Sequence, residues 1–237
     1  MRMVKIAHLY PDEMNIYGDL GNIISLTKRL EWRGYTVRVM PVEVGKSFDF
    51  NQVDLVFGGG GQDSGQHVIG ADLAKRGNEI RKVAANGMPM LVICGTYQLF
   101  GESFTTLEGN EIPGIGVFNM TTVGSGLRMI GNVVIQSPFG RLVGFENHSG
   151  QTKLKGKQQP LGSVKKGYGN NSKSRHEGAI TGNVLGSYMH GPLLPKNPRL
   201  ADHLISVALK RMNDTSDLAL LDDRLERAAA DSAASRP

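Results

Sequence analysis

Residues 89–100, Pro-Met-Leu-Val-Ile-Cys-Gly-Thr-Tyr-Gln-Leu-Phe, limit what this chain can fold into more than any other stretch. The short apolar run rich in β-branched residues reads as a buried strand. Gly95 allows a sharp, strained backbone, after which Gln98-Leu99-Phe100 can resume as helix. Strand, tight turn and helix N-terminus together make a nucleophile elbow, which would lift Cys94 above the edge of a sheet. Negative charge is favoured there by the helix dipole and the free N–H groups, so the position suits a thiolate. Taken alone, Cys94 reads first as a core residue, because free cysteine is among the most buried residue types. The rest of the chain has to decide between the two.

Strand-like runs at residues 3–9, 35–40 and 53–57 flank a helical pattern of Leu20, Ile23, Ile24, Thr27 and Leu30. Asp19 or a neighbour can cap that helix, and Gly34 ends it. The third strand runs into Gly58-Gly59-Gly60-Gly61, a helix over about 65–86 stops at Asn86-Gly87, and 89–93 is the elbow strand. Such alternation predicts a mainly parallel α/β sheet with helices on both faces and sites at the carboxyl ends of the strands. Beyond residue 105, short runs at 116–120, 132–135, 142–146, 179–181 and 184–189 alternate with glycine-rich turns, which suggests appended β-hairpins. A helix is expected over 198–212. The chain then divides into one domain, 1–212, and a flexible C-terminal helix or tail, 213–237, of which 227–237 is expected to fray. There is no internal repeat.

Charge argues against a nucleic-acid binder. The formal net charge is +5, yet Lys153, Lys155, Lys157, Lys165, Lys166, Lys173 and Arg175 lie within 151–176, where there is no acid. The basicity is therefore local, and only Tyr168 accompanies it, without the interleaved aromatics of a single-strand binder. A solvated loop or a contact with an anionic partner remains open for this segment. Gly45-Lys46-Ser47 imitates the end of a phosphate-binding loop, but Met40 stands where that loop needs glycine, and the run 58–61 lacks G-x-G-x-x-G spacing. No Cys/His cluster offers a metal site. One cysteine in 237 residues, no signal-like leader and no apolar stretch of roughly 20 residues point to a reducing, cytoplasmic setting.

A cysteine nucleophile needs a base and oxyanion donors. His190 ends a strand-like run before Gly191-Pro192, on the rim of Cys94 if its strand is parallel; His8 ends the first strand and competes with it. Gly59 or Gly60, following a strand, and Gly95, next to the nucleophile, can present bare amides. Phe57-Gly58-Gly59-Gly60, Cys94-Gly95, Gly144-Phe145-Glu146-Asn147-His148-Ser149-Gly150 and Tyr188-Met189-His190-Gly191-Pro192 together resemble class I glutamine amidotransferases of the cobyric acid synthase (CobB/CobQ) type. More narrowly they resemble the GatD-type glutaminase subunits of bacterial lipid II isoglutaminyl synthases. The likeness also takes in 167–171 and 188–198 and extends over about residues 3–212.

The resemblance implies a flavodoxin-like fold and the hydrolysis of glutamine through a thioester on Cys94. It makes His190 the base, Gly60 and Gly95 the oxyanion donors, and Arg128 the residue that grips the substrate's α-carboxylate. Many class I members orient the histidine with a glutamate two residues on, where this chain has Pro192. That absence is shared by the cobyric acid synthase branch, and Asp19 and Glu146 are left as open candidates for orienting the ring. The resemblance further implies no cofactor in this chain, ATP and Mg on a Mur-ligase-like MurT-type partner, and amidation of the D-glutamate of lipid II at the inner face of the membrane. Alternatives are a stand-alone cysteine hydrolase, a glutaminase for another amidotransfer such as that of cobyrinate, and a non-catalytic scaffold.

Overall fold

In a computed structural model, which describes residues 2–61, 66–214 and 217–236, the apolar runs of the N-terminal half become the inner strands of one sheet. The elements in order are β1 (Met3–Leu9), α1 (Leu20–Glu31), β2 (Thr36–Val42), β3 (Leu55–Gly58), α2 (Gln66–Ala85), β4 (Met90–Ile93) and α3 (Gly95–Leu99). The expected start of the second helix at residue 65 lies outside the described residues. Every residue of β3 and β4 is buried, as a strand covered by helices on both faces requires.

Later in the chain come β5 (Ser103–Thr105), β6 (Glu111–Pro113), β7 (Met120–Ser137), β8 (Gly140–Leu154), β9 (Gly162–Lys166), β10 (His176–Glu177), β11 (Ala179–Thr181), β12 (Val184–Ser187), α4 (Pro198–Arg211) and α5 (Arg224–Ser235). The first sheet has the order β11-β12-β4-β3-β1-β2. It is parallel apart from β11, which runs antiparallel to β12. The second has the order β10-β9-β7-β5-β6, with β8 paired to β7.

Three expectations about the C-terminal half need correction. The runs at 132–135 and 142–146 are not separate short strands but the parts of the long β7–β8 hairpin that flank its turn. Glycines interrupt its apolar pattern without interrupting its ladder; Gly144, for example, is required because a Cβ would come within 2.6 Å of Met189. Residues 116–119 form no strand, since the amides of Gly116, Val117 and Phe118 turn back onto carbonyls of Phe100 and Gly101. The stretch expected to fray from residue 227 is instead helical as far as Ser235, part of the helix Arg224–Ser235 in which Ala230 is buried. It is tied to the domain by Arg29, which is 2% exposed and pairs with Asp202 and Asp223 at 2.7 Å each. Among the described residues no helix is long and apolar enough to cross a membrane.

Arg29→Met should leave Asp223 without its cation and Asp202 with Arg33 alone, at 2.9 Å. We expect a loss of roughly 2–4 kcal/mol, somewhat below the roughly 3–5 kcal/mol of a fully buried broken pair, because Asp202 keeps Arg33 and both aspartates keep some solvent contact. Urea unfolding measures the loss, and limited proteolysis should cut after α4 faster than in the unsubstituted chain.

Candidate active site

Cys94 caps the start of α3 with φ 50° and ψ −107°, a region that non-glycine residues rarely occupy. Strain of this kind persists only where neighbours fix the backbone. Here the Cys94 amide donates to Ser187 O at 2.8 Å, and its carbonyl accepts from Gln98 N at 2.9 Å. Thr96 Oγ1 donates to Gly59 O at 2.6 Å, which locks the elbow onto the glycine run.

His190 arrives on the same rim because β12 is parallel to β4, Ser187 lying opposite Ile93. Its backbone pairs with Phe145 in both directions, at 2.7 and 3.2 Å. The bare α-carbon of Gly60 lies between the two side chains: a Cβ there would meet His190 Cε1 at 2.6 Å and Cys94 Cβ at 3.1 Å. His190 Nδ1 donates to Asp19 Oδ2 at 3.1 Å, with Oδ1 at 3.3 Å. Both side chains are fully buried.

Asp19 is thus the carboxylate that orients the histidine, and the sequence hides it for a local reason. Its place before α1 marks it as a cap, but its side chain makes no capping bond. Asn15 Oδ1 takes the Leu20 amide instead, at 2.8 Å. Asp19 Oδ2 also accepts the Gly60 amide at 2.8 Å, so that N–H is not free to serve as the expected oxyanion donor. Close approach accounts for the glycine run itself. Ile16 N donates to Gly60 O at 3.1 Å, and a Cβ at Gly59 would stand 2.2 Å from Met14 O.

The pKa of His190 is pushed up to about 10: burial opposes the charge, but negative charge on Cys94 and the hydrogen bond to Asp19 outweigh it. Its Nε2 has no conventional hydrogen-bond partner. His8 is buried against Phe57, and burial lowers its pKa to about 4. Glu146, the other candidate for orienting His190, accepts the amides of Tyr168 and Gly169. It stands 3.6 Å from His148 Nε2, not beside His190. His148 stacks on Tyr188 with ring centroids 3.6 Å apart.

Cys94 and Arg128 border one cavity of about 250 Å³, which Ile16, Tyr17, Gly61 and Asn147 also line. Arg128 sits on β7 where the register with β8 shifts between Gly124 and Met129. Its Nε donates to Asn147 Oδ1 at 2.7 Å and its Nη2 to Tyr17 Oη at 3.2 Å. Tyr17, missed in the sequence, also places its ring edge-on to His190, 5.0 Å between centroids. The signal available for it was Gly18, which marks a turn but not the residue before it. Among the described residues no group of three His, Cys, Asp or Glu is placed to hold a metal.

Residues 5–198 match the CobB/CobQ-like glutamine amidotransferase domain. The glutamine-hydrolyzing lipid II isoglutaminyl synthase subunit GatD of Staphylococcus aureus is 39% identical over 212 residues, covering 89% of this chain and 86% of that protein. Its Streptococcus pneumoniae counterpart is 42% identical over 211 residues, covering 88% and 81%. A crystal structure of a glutamine amidotransferase, only 16% identical, shares the fold with a TM-score of 0.60 over 85% of this chain and 98% of that one.

Because the folded pKa of His190 lies above its free value of 6.5, the charged ring adds stability that is fully present below pH 6.5. That contribution is lost as pH rises through about 10. Imidazole Cε1–H titration by NMR should place His190 near that upper value and should show it lower in both Asp19→Asn and Cys94→Ala. An Asp19→Asn titration that superimposes on the unsubstituted one would remove Asp19 as the partner that holds the charge.

Proposed function

The chain belongs to the CobB/CobQ-like glutamine amidotransferase family, and on that premise we propose that it is the glutaminase subunit of a lipid II isoglutaminyl synthase. The observation that carries the reading is that Cys94, beside an Asp19-held His190, and the Arg128 guanidinium line the same cavity. Glutamine carries a scissile amide at one end and a carboxylate at the other, and this lining offers a partner for each.

In the proposed reaction the Cys94 thiolate attacks the side-chain amide carbon of glutamine. The oxyanion is met by the Gly95 amide, which the start of α3 leaves without an intrahelical acceptor. Since the Gly60 amide is engaged with Asp19, the second donor falls to Gly61, which borders the cavity. His190 Nε2 protonates the departing nitrogen, ammonia leaves, and a thioester remains. Water then adds to the thioester with His190 as base, releasing glutamate and restoring the thiol. Arg128 holds the α-carboxylate through both steps. A stand-alone hydrolase would have no use for that guanidinium, and a scaffold none for a cysteine held at φ 50°.

Ammonia released here would serve a MurT-type, Mur-ligase-like partner that carries ATP and Mg and amidates the α-carboxylate of D-glutamate in the lipid II stem peptide. Uncoupled turnover would waste glutamine, which favours a subunit that works against its ligase. We place the pair in the cytoplasm, at the inner membrane face where a lipid-linked acceptor is reached.

Cys94→Ala should abolish ammonia release while leaving the fold and partner binding intact. His190→Ala should slow acylation by roughly 10²–10⁴, the loss expected for a positioned general base, whereas His148→Ala should keep most activity. Stopped-flow acylation and coupled ammonia assays read both, and the reverse pattern would reassign the base. Arg128→Ala should raise KM far more than it lowers kcat and weaken kcat/KM at least about tenfold, with Lys rescuing only part of the loss. An unchanged KM in steady-state kinetics would mean that the carboxylate is gripped elsewhere.

A further inference from the structure

We propose that the Tyr17 hydroxyl is a second binding group for the substrate's α-carboxylate, acting beside Arg128; the assignment rests on the glutaminase reading above. Tyr17 is half-exposed, at 43%, and its backbone sits at φ 56° and ψ 25°. That left-handed conformation is sparsely populated for residues other than glycine, asparagine and aspartate. Among the described residues, the hydrogen bonds and the ring contact of its side chain are with the site. The ring lies edge-on to His190, and the hydroxyl oxygen accepts from Asn147 Nδ2 at 2.7 Å and from Arg128 Nη2 at 3.2 Å.

Those two bonds settle where the hydroxyl can still act. With its oxygen accepting twice, only its proton remains to be used, and among the described residues that proton has no acceptor. Arg128 is constrained in a complementary way. Its Nε and one Nη2 hydrogen are held by Asn147 and Tyr17, so the guanidinium presents its end, Nη1 and the rest of Nη2, to a ligand. A carboxylate met by that end lies next to the Tyr17 hydroxyl and accepts its proton as a third, charge-assisted bond. The donors are fixed before the ligand arrives, so little ordering is left for the binding step.

The test uses the full chain with its ligase partner. Tyr17→Phe keeps the ring against His190 and removes only the hydroxyl. KM for L-glutamine should rise about tenfold, as for loss of one hydrogen bond to a charged group, while kcat falls less than threefold. Hydrolysis of L-glutaminamide, which has no α-carboxylate, should be equally slow in both proteins. Alkylation of Cys94 by iodoacetamide, which also lacks a carboxylate, should keep its rate and so report an intact elbow. An unchanged KM for glutamine, or equal losses on glutamine and glutaminamide, would overturn the assignment. No ammonia from glutamine with the unsubstituted chain would instead sink the glutaminase reading, and this one with it.

Discussion

The Asp19 carboxylate joins three segments that are far apart in the chain. Oδ2 alone accepts the Gly60 amide at 2.8 Å and the His190 ring at 3.1 Å, partners 41 and 171 residues away. A fully buried carboxylate is tolerated because these donors, one of them a charged imidazole, replace its water. Without His190 the carboxylate would keep only a backbone amide, and without Asp19 the ring would be free to turn. The glycine run serves this arrangement, since the segment bearing Met14, Ile16 and Asp19 can approach β3 only where no side chains intervene.

Much of the frame was legible in the sequence. An apolar run ending in glycine located β3, a second before Cys94 located β4, and Cys94-Gly95 located the elbow, because local sterics decide such features. The Tyr-Met-His-Gly-Pro run put His190 at a strand end, and the parallel pairing of β12 with β4 brought it to the rim. Asp19 was half-legible. Its residue type and its place before a helix announce an N-cap, yet the side chain bonds to residues 41 and 171 positions away, and no local pattern encodes those contacts. Gly60 is legible as a glycine but not in what its amide does. A bare amide after a strand suggests an anion donor, and only the folded chain reveals that an internal carboxylate already holds it. The β7–β8 hairpin was broken into pieces because its glycines answer contacts from another layer, as Gly144 does with Met189.

The lining of the cavity comes from different layers. Cys94, His190 and Asp19 sit on the rim of the parallel sheet and are almost fully buried, Cys94 being 6% exposed. Arg128 and Asn147 project from the β7–β8 hairpin, where the register shift lets one arginine leave the ladder. Tyr17 spans the two, its ring on His190 and its hydroxyl on Arg128. A fold divided in this way can alter what it grips at the hairpin without disturbing the rim, which is why substitutions at Arg128 and at His190 should separate into binding and rate effects.

In the proposed reaction the electrostatics of the rim change at the step where they need to. While Cys94 is negatively charged, that charge and the Asp19 hydrogen bond hold His190 protonated against its burial. The proton that the departing nitrogen requires is then already in place. Thioester formation discharges the sulfur and, after the proton has left, removes one of the main causes of the raised pKa. Asp19 remains, keeping Nδ1–H in place and Nε2 as the free, basic nitrogen, but the ring no longer faces an anion. A neutral His190 can then take a proton from water in the second step. One buried histidine therefore serves first as acid and then as base because the charge it answers to is the charge that the chemistry consumes.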